Sequence, residues 1–438
     1  MSSEPQYPRH ARPEEFANPT PKYCVWEITL ACDLGCKHCG SRAGKARPDE
    51  LTTEECLEVV DQLAELGIRE TTLIGGEAYL RDDWTEIAAA LVKKGISVSV
   101  VTGARNLTQE RIDGAVEAGI SSISISIDGL EKTHDALRGP RGSWRAAVEA
   151  ARRVAESPLR LTANTQINRL SMPELPAVAD LMVDLGIAGW QVQMTVPMGR
   201  AADRPELLLQ PPDLLELFPL LLWIKRTKLD PAGVQIAPSN NVGYFSPYER
   251  LLRWRREEKG GHWSGCVAGK WGLGLEADGK IKGCPSLPSG PYTGGNIRDA
   301  KIADVVANAP EVNHLKSRTG EDLWGFCRTC YYAETCLAGC TWTSHTFFGR
   351  SGNNPYCIHR ALEFEKRGLQ ERIVPAERAA GDPFDYGRFE ILVEEAPEAS
   401  EVPSILDLAL DRVTAASFAE PSLWEKDTIR ERLKRWKG

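Results

Sequence analysis

"ITLACDLGCKHCGSRAG", residues 28–44, places three cysteines, Cys32, Cys36 and Cys39, within eight residues. A hydrophobic strand leads in, and a glycine-rich, basic stretch leads out. Zinc sites commonly space thiols in C-x2-C pairs and take four ligands. Here three thiols stand together with no obvious fourth. Whether that missing ligand is an accident decides how the rest of the chain is read.

Outward from this loop, short β-branched runs alternate with helical patterns up to about residue 200. "CVWEITL" (24–30) reads as the first strand and "LTTEECLEVVDQLAELG" as the helix after it. Thr52 and Glu55 form a capping box there, and Gly67 stands at the exit. "TTLIGG", "ISVSVVTG", "SSISISIDG", "LRLTANTQIN" and "GWQVQMTV" supply five more strands. The helices between them are expected to run from Asp83 to Gly95, from Thr108 to Ala118, from Ser143 onward, and from Pro173 to Leu185.

Six consecutive strand–helix units imply a parallel sheet with right-handed crossovers. Doubly wound sheets and closed or partial barrels both fit that pattern. In such barrels the active site lies where the C-terminal ends of the strands meet. Polar and glycine signals cluster there: Gly75-Gly76-Glu77 after strand two and Thr102-Gly103 after strand three. Ser126 and Asp128-Gly129 follow strand four, Asn164 and Gln166 strand five, Gln193 and Arg200 strand six.

The chain has 438 residues, 42% of them apolar and 26% charged, with a formal net charge of −8. That balance gives no electrostatic footprint for nucleic acid or for an anionic membrane. Apolar runs such as "FPLLLW" (218–223) are too short to span a bilayer, and the polar, proline-rich N-terminus is unlike a signal peptide. A cytoplasmic location is expected. Of the twelve cysteines, seven lie between 266 and 357, while Cys24 and Cys56 stand apart and read as buried hydrophobes. Clustered cysteines in such a compartment bind metal or do redox chemistry more often than they form disulfides.

The expected organisation is a flexible segment 1–22, a partial barrel 23–203, a helical bridge 204–261, a cysteine-rich domain 262–370 and a C-terminal extension 371–438. The extension is acidic and proline-punctuated up to Pro403. Two amphipathic helices, 404–415 and 422–436, end it.

Cys32-x3-Cys36-x2-Cys39 resembles the motif of the radical S-adenosylmethionine (SAM) enzymes. Three thiolates leave one iron of a [4Fe–4S] cube open, and in that family SAM binds there. The alternative is a zinc knuckle lacking a ligand. The resemblance implies a partial (β/α)6 TIM-like barrel and SAM-pocket roles for several residues. Gly75-Gly76-Glu77 would meet the SAM amino group, although Ala78 stands where the family commonly has proline. His38 would lie near the adenine, Ser126 and Asp128 would line the pocket, Asn164 or Gln166 would approach the ribose, and Arg200 would pair with the carboxylate. Residue by residue, each signal also reads as a cap or a turn.

Cys266, Cys284, Cys327-x2-Cys330-x5-Cys336-x3-Cys340 and Cys357 resemble the SPASM extension, which carries auxiliary iron–sulfur clusters. The resemblance implies that Cys327, Cys330, Cys336 and Cys357 hold one [4Fe–4S] cluster. Cys266, Cys284 and Cys340 would hold a second, with an open iron. A zinc ribbon is the competing reading, but seven thiolates divide awkwardly into four-thiolate sites. Trp263 and Trp271 are expected to pack around the three-cysteine cluster.

By resemblance the task is maturation of a ribosomally made peptide or protein by hydrogen abstraction, giving a cross-link, a thioether or an oxidised side chain. The sulfatase-maturing branch is disfavoured, because Pro285-Ser286 follow Cys284 and no cysteine lies between 266 and 284. The implied partners are a peptide or protein substrate and a flavodoxin- or ferredoxin-type electron donor. About 23 mostly polar residues precede the first strand, too few for a leader-binding domain. Any leader recognition then comes from a separate protein or from the C-terminal extension, or is not needed. Two other readings stand beside this one: chemistry on a small molecule or in metallocofactor assembly, and a non-catalytic iron–sulfur electron-transfer protein.

Overall fold

The computed structural model describes Arg9, residues 12–246, 248–253, Trp263 and residues 265–396. β1 (Tyr23–Thr29), β2 (Glu70–Gly75), β3 (Ser97–Thr102), β4 (Ser122–Ser126), β5 (Arg160–Ile167) and β6 (Gly189–Met194) lie side by side in chain order, all parallel. Helices α1 (Thr53–Glu65), α2 (Trp84–Lys93) and α3 (Gln109–Glu117) cross between the first four strands. The Thr52–Glu55 capping box opens α1, as its spacing predicts. Between β4 and β5 the sequence led us to expect one helix from Ser143. The structure has two, α4 (Glu131–Arg138) and α5 (Ser143–Ala155), and α6 (Leu175–Asp184) follows β5.

The bridge is not wholly helical. After two 3-10 turns, Pro205–Leu207 and Pro211–Asp213, it forms α7 (Leu214–Ile224) and a π-helical turn at Lys225–Leu229, and then supplies a seventh parallel strand, β7 (Gln235–Pro238), against β6. Gly233, at φ 74°, stops the helix, and buried Val234 and Ile236 give the new strand its apolar side. The helical stretch Pro205–Ala232 passes a length-and-composition test for crossing a membrane, yet 67% of its apolar window is buried inside the fold. Leu214, Leu217 and Leu221 are apolar because they are core.

The cysteine-rich segment continues the barrel sheet. β8 (Gly272–Leu275) pairs parallel with β1, and β9 (Lys280–Lys282) and β10 (Thr293–Asn296) extend it antiparallel. The result is one ten-stranded sheet in the order β10-β9-β8-β1-β2-β3-β4-β5-β6-β7.

Burial alternates along these strands. On β5, Leu161, Ala163, Thr165 and Ile167 are buried, whereas Thr162, Asn164 and Gln166 are half-exposed. The buried set faces the helices: Trp26, Leu73, Val98, Ile125 and Trp190 join Leu63, Ile87, Ile112 and Val178 in one core. Each such side chain contributes roughly 1.5–3 kcal/mol of burial free energy. Cys24 and Cys56 belong to this core, where burial pushes the Cys56 thiol up to about 12. Parallel strands are usually apolar on both faces. Here the inner face carries hydroxyls and amides, with Thr72 bonded to Ser99 at 2.9 Å and the Asn164 amide donating to Ser124 Oγ at 2.7 Å.

The extension adds a hairpin, β11 (Leu369–Glu377) with β12 (Arg388–Glu395), where only acidic, proline-punctuated chain was expected. Pro375 and the outward charges hid its alternation. The connecting loop returns to the barrel mouth, where Arg42 Nε donates to Asp385 Oδ1 at 2.7 Å and Gly199 N to Asp385 O at 2.8 Å. The expected helices 404–415 and 422–436 lie outside the described residues.

Candidate functional site

The cysteine loop follows β1, and its position depends on the two glycines after β2. A Cβ on Gly75 would stand 2.3 Å from Thr29 O, and one on Gly76 2.0 Å from Ala31 O and 2.6 Å from Cys32 Cβ. Only glycine lets the two strand ends approach this closely. Backbone bonds then join them, Gly76 N to Thr29 O at 2.9 Å and Glu77 N to Ala31 O at 2.8 Å. Glu77 therefore arrives beside the thiols, and ligating atoms of Cys32, Asp33 and Glu77 lie within 4.8 Å of one another.

The Glu77 carboxylate is buried and accepts from Gly103 N at 2.7 Å and from the Thr102 hydroxyl. Burial pushes it up to about 7 against those two bonds. Its oxygens thus tie β2 to β3, and what it offers a ligand is its remaining acceptor capacity.

Asp128 is fully buried after β4. Its Oδ2 takes Arg138 Nε at 2.8 Å, Arg138 Nη2 at 2.7 Å and His38 Nε2 at 3.0 Å, and its Oδ1 takes Gln166 N at 2.8 Å. Burial opposes ionisation, but Arg138 and His38 outweigh it and hold this carboxyl well below the usual range. Asp128 is consequently a scaffold group, its oxygens already committed within the protein. His38 faces Asp128 through Nε2, and its buried Nδ1 has no partner among the described residues. His134, buried on α4, accepts from Asp128 N at 3.2 Å.

Ser126 is buried at the end of β4, opposite Asn164 in register. Gln166 Oε1 lies 3.5 Å from Thr195 Oγ1. Arg200, in the turn Gly199–Ala201, grips the cysteine loop: its N donates to Cys39 O at 2.9 Å and its Nη2 to Ala43 O at 2.5 Å. Its Nε is buried and has no partner among the described residues. Cys36, His38, Glu77, Ser126, Asp128, Asn164, Gln166 and Arg200 thus share one end of the sheet. Sequence reasoning missed Asp33, His134 and Arg138. The last two ride on the short uncapped helix that it also missed, and an arginine between Leu137 and Gly139 was the available signal.

The second group of cysteines sorts into two sets. Cys327, Cys330, Cys336 and Cys357 line one apolar cavity with Tyr244 and His359. Backbone N–H groups aim at two of these sulfurs, Asn354 N at Cys327 Sγ and Tyr332 N at Cys330 Sγ, both 3.4 Å. Cys266, Cys284 and Cys340 form the other set: burial first, then the nearby Cys266 sulfur, pushes Cys284 up to about 11, and burial with the Cys266 and Cys284 sulfurs pushes Cys340 up to about 12. Leu337, Ala338 and Gly339 all have positive φ, between 50° and 66°. That left-handed bend turns the chain from Cys336 in one set to Cys340 in the other. Trp263 packs on Cys340 and Cys266 as expected, but Trp271 pairs with Phe16 instead. Trp342 takes its place, its Nε1 3.0 Å from Met198 Sδ on the barrel side.

These residues fit iron–sulfur clusters. All twelve cysteines are free thiols. Burial first, then the Glu77 carboxylate and the neighbouring sulfurs, pushes Cys32 up to about 12, while Cys36 reaches about 11. Several buried, mutually repelling sulfurs with N–H groups aimed at them suit thiolates whose charge a metal cluster compensates.

The model of the Radical SAM superfamily matches residues 26–175. An AdoMet-dependent heme synthase of Methanosarcina barkeri is 30% identical over 357 residues, covering 78% of this chain and 97% of that one. A PqqA peptide cyclase of Rhizobium meliloti is 26% identical over 365 residues, 80% of this chain and 92% of its own. The fold is also similar to that of Streptococcus suis SuiB bound to the precursor peptide SuiA, with a TM-score of 0.58 at 16% identity, covering 77% of this chain and 75% of that one.

Proposed function

The chain belongs to the radical SAM superfamily, whose members use a [4Fe–4S] cluster and SAM, and on that premise we propose that it is a maturase of a ribosomally made peptide or protein. The observation that carries this reading is the three-thiol loop at the mouth of a barrel whose inner face is lined with hydroxyls and amides. Cys32, Cys36 and Cys39 would hold the cluster and leave one iron for SAM. When bound, that pair supplies a 5′-deoxyadenosyl radical that takes a hydrogen atom from the substrate.

The chain's own residues then have separable tasks. Glu77 and the Gly75-Gly76 backbone would receive the SAM amino group, and the free Nδ1 of His38 would accept from the nucleoside. Arg200, whose Nε has no partner among the described residues, would pair with the SAM carboxylate. Ser126, Asn164 and Gln166 would orient the ribose side of the pocket. The two auxiliary sets, Cys327/Cys330/Cys336/Cys357 and Cys266/Cys284/Cys340, would hold [4Fe–4S] clusters that accept the substrate's electron. Electrons would enter from a flavodoxin- or ferredoxin-type donor, and a separate leader-binding protein would present the peptide.

The peptide assignment draws support from the name of the R. meliloti relative and from the peptide bound to SuiB. A second reading, chemistry on a porphyrin-like small molecule, is favoured by the match to almost the whole M. barkeri heme synthase. Reduced, anaerobically reconstituted protein should turn SAM into 5′-deoxyadenosine, and a Cys32/Cys36/Cys39→Ala variant should make none. Activity surviving in that variant would sink the radical reading. Supplying in parallel a precursor peptide encoded beside the gene and an iron porphyrin separates the two substrates. Loss of two hydrogens from the peptide supports the first, and heme formation the second.

A further inference from the structure

Arg138 closes α4, and the cysteine loop sits directly on that helix end. Gly35 N donates to Arg138 O at 3.1 Å and Lys37 N to Leu137 O at 2.7 Å. Gly139 follows at φ 98°, and a Cβ there would come within 3.2 Å of Gly35 O. The Arg138 side chain folds back over the loop, 8% exposed, and brings Nη1 to 3.9 Å from Cys36 Sγ. Its other two nitrogens are fixed on the fully buried Asp128, which His38 and Gln166 N hold in turn.

A buried ion pair is weak evidence for stability, since apolar side chains of similar size often do as well. This pair does something that an apolar pair cannot. It presents the positive end of a fixed dipole to a sulfur of the proposed cluster, while the carboxylate stays behind the guanidinium. A cluster gains one negative charge on reduction, and charge and hydrogen bonding at its sulfurs set its potential. The C-terminus of α4 contributes at most about half a negative charge, partly answered by the two loop N–H groups. The full positive charge of Arg138 therefore dominates.

We propose that Arg138 is a positioning residue for electron uptake. It donates Nη1–H to the Cys36 thiolate, and its charge, anchored by Asp128, makes the cluster held by Cys32, Cys36 and Cys39 easier to reduce. This rests on the cluster assignment above. Removing Arg138 alone would leave the buried Asp128 without its guanidinium, held only by His38 and Gln166 N, so the test includes the paired substitution Arg138→Met/Asp128→Asn alongside Arg138→Met and Arg138→Lys.

The measurement is a redox titration followed by electron paramagnetic resonance on the full, reconstituted protein without SAM. The auxiliary clusters serve as the internal reference. The midpoint of the SAM-site cluster should move to lower potential in both methionine variants and stay near wild type in Arg138→Lys, which keeps the charge but not the two-pronged fork. Lysine shifting it as far as methionine would reduce Arg138 to a structural role and overturn the proposal. So would a wild-type midpoint in the double variant, or a shift seen only once SAM is added. A wild-type protein without a SAM-responsive cluster signal would fail the cluster assignment instead.

Discussion

Single residues at this site do two jobs, and the glycines show it most clearly. Gly76 has room for no side chain, because its Cβ would lie 2.0 Å from Ala31 O. Gly76→Ala should therefore destabilise the protein by about 2 kcal/mol or more through backbone displacement and lower the iron retained after reconstitution. Wild-type melting and iron content in that variant would contradict this account. The sequence already pointed to Gly75, Gly76 and Glu77, through their place after a strand. It could not show that Glu77 is bonded to Thr102 and Gly103, or that Asp128 is committed to Arg138, His38 and the Gln166 amide. Those partners come from other strands and helices, and no local spacing encodes them.

Among the elements, those with a strong period were readable: six parallel strands, and helices with caps such as Thr52. The ones missed were short or mixed. α4 has eight residues and no side-chain cap, β7 has four, and the β11–β12 hairpin carries charges and a proline. That hairpin is nevertheless a fastening element. Arg42 bridges Asp385 and Asp203, with the Asp385 carboxylate largely buried. Asp385→Ala leaves Arg42 one partner and should cost about 1–3 kcal/mol. Hydrogen exchange should rise in residues 378–388 and in the cysteine loop together. Faster exchange in the hairpin alone would show that the two segments are not coupled.

Across the molecule, a buried charge network joins the barrel to the cysteine-rich segment. Arg47 Nη2 lies 3.1 Å from both Glu27 and Glu276, and Lys282 Nζ lies 2.6 Å from Glu276. Burial pushes Glu27 up to about 7, against the pull of Arg47, from an ordinary value of 4.5. A raised carboxyl value means that its stabilising, protonated form is complete below about pH 4.5 and is lost as pH climbs to about 7. Glu27→Gln removes this dependence. Between pH 5 and pH 8 the variant should gain on wild type by on the order of 2–3 kcal/mol in unfolding free energy. A gap between the two that does not change with pH would refute the assignment. The three thiol sets together predict about twelve irons per chain, and a value near four would remove both auxiliary clusters.

The bond between Arg42 and Asp385 spans 343 positions of the chain. At a synthesis rate of roughly 5–20 residues per second, that is about 20–70 s on the ribosome. For that interval the three thiols beside Arg42 exist, but the segment that later clasps their loop has not yet been made. Iron delivered in that interval meets a loop that Asp385 does not yet hold.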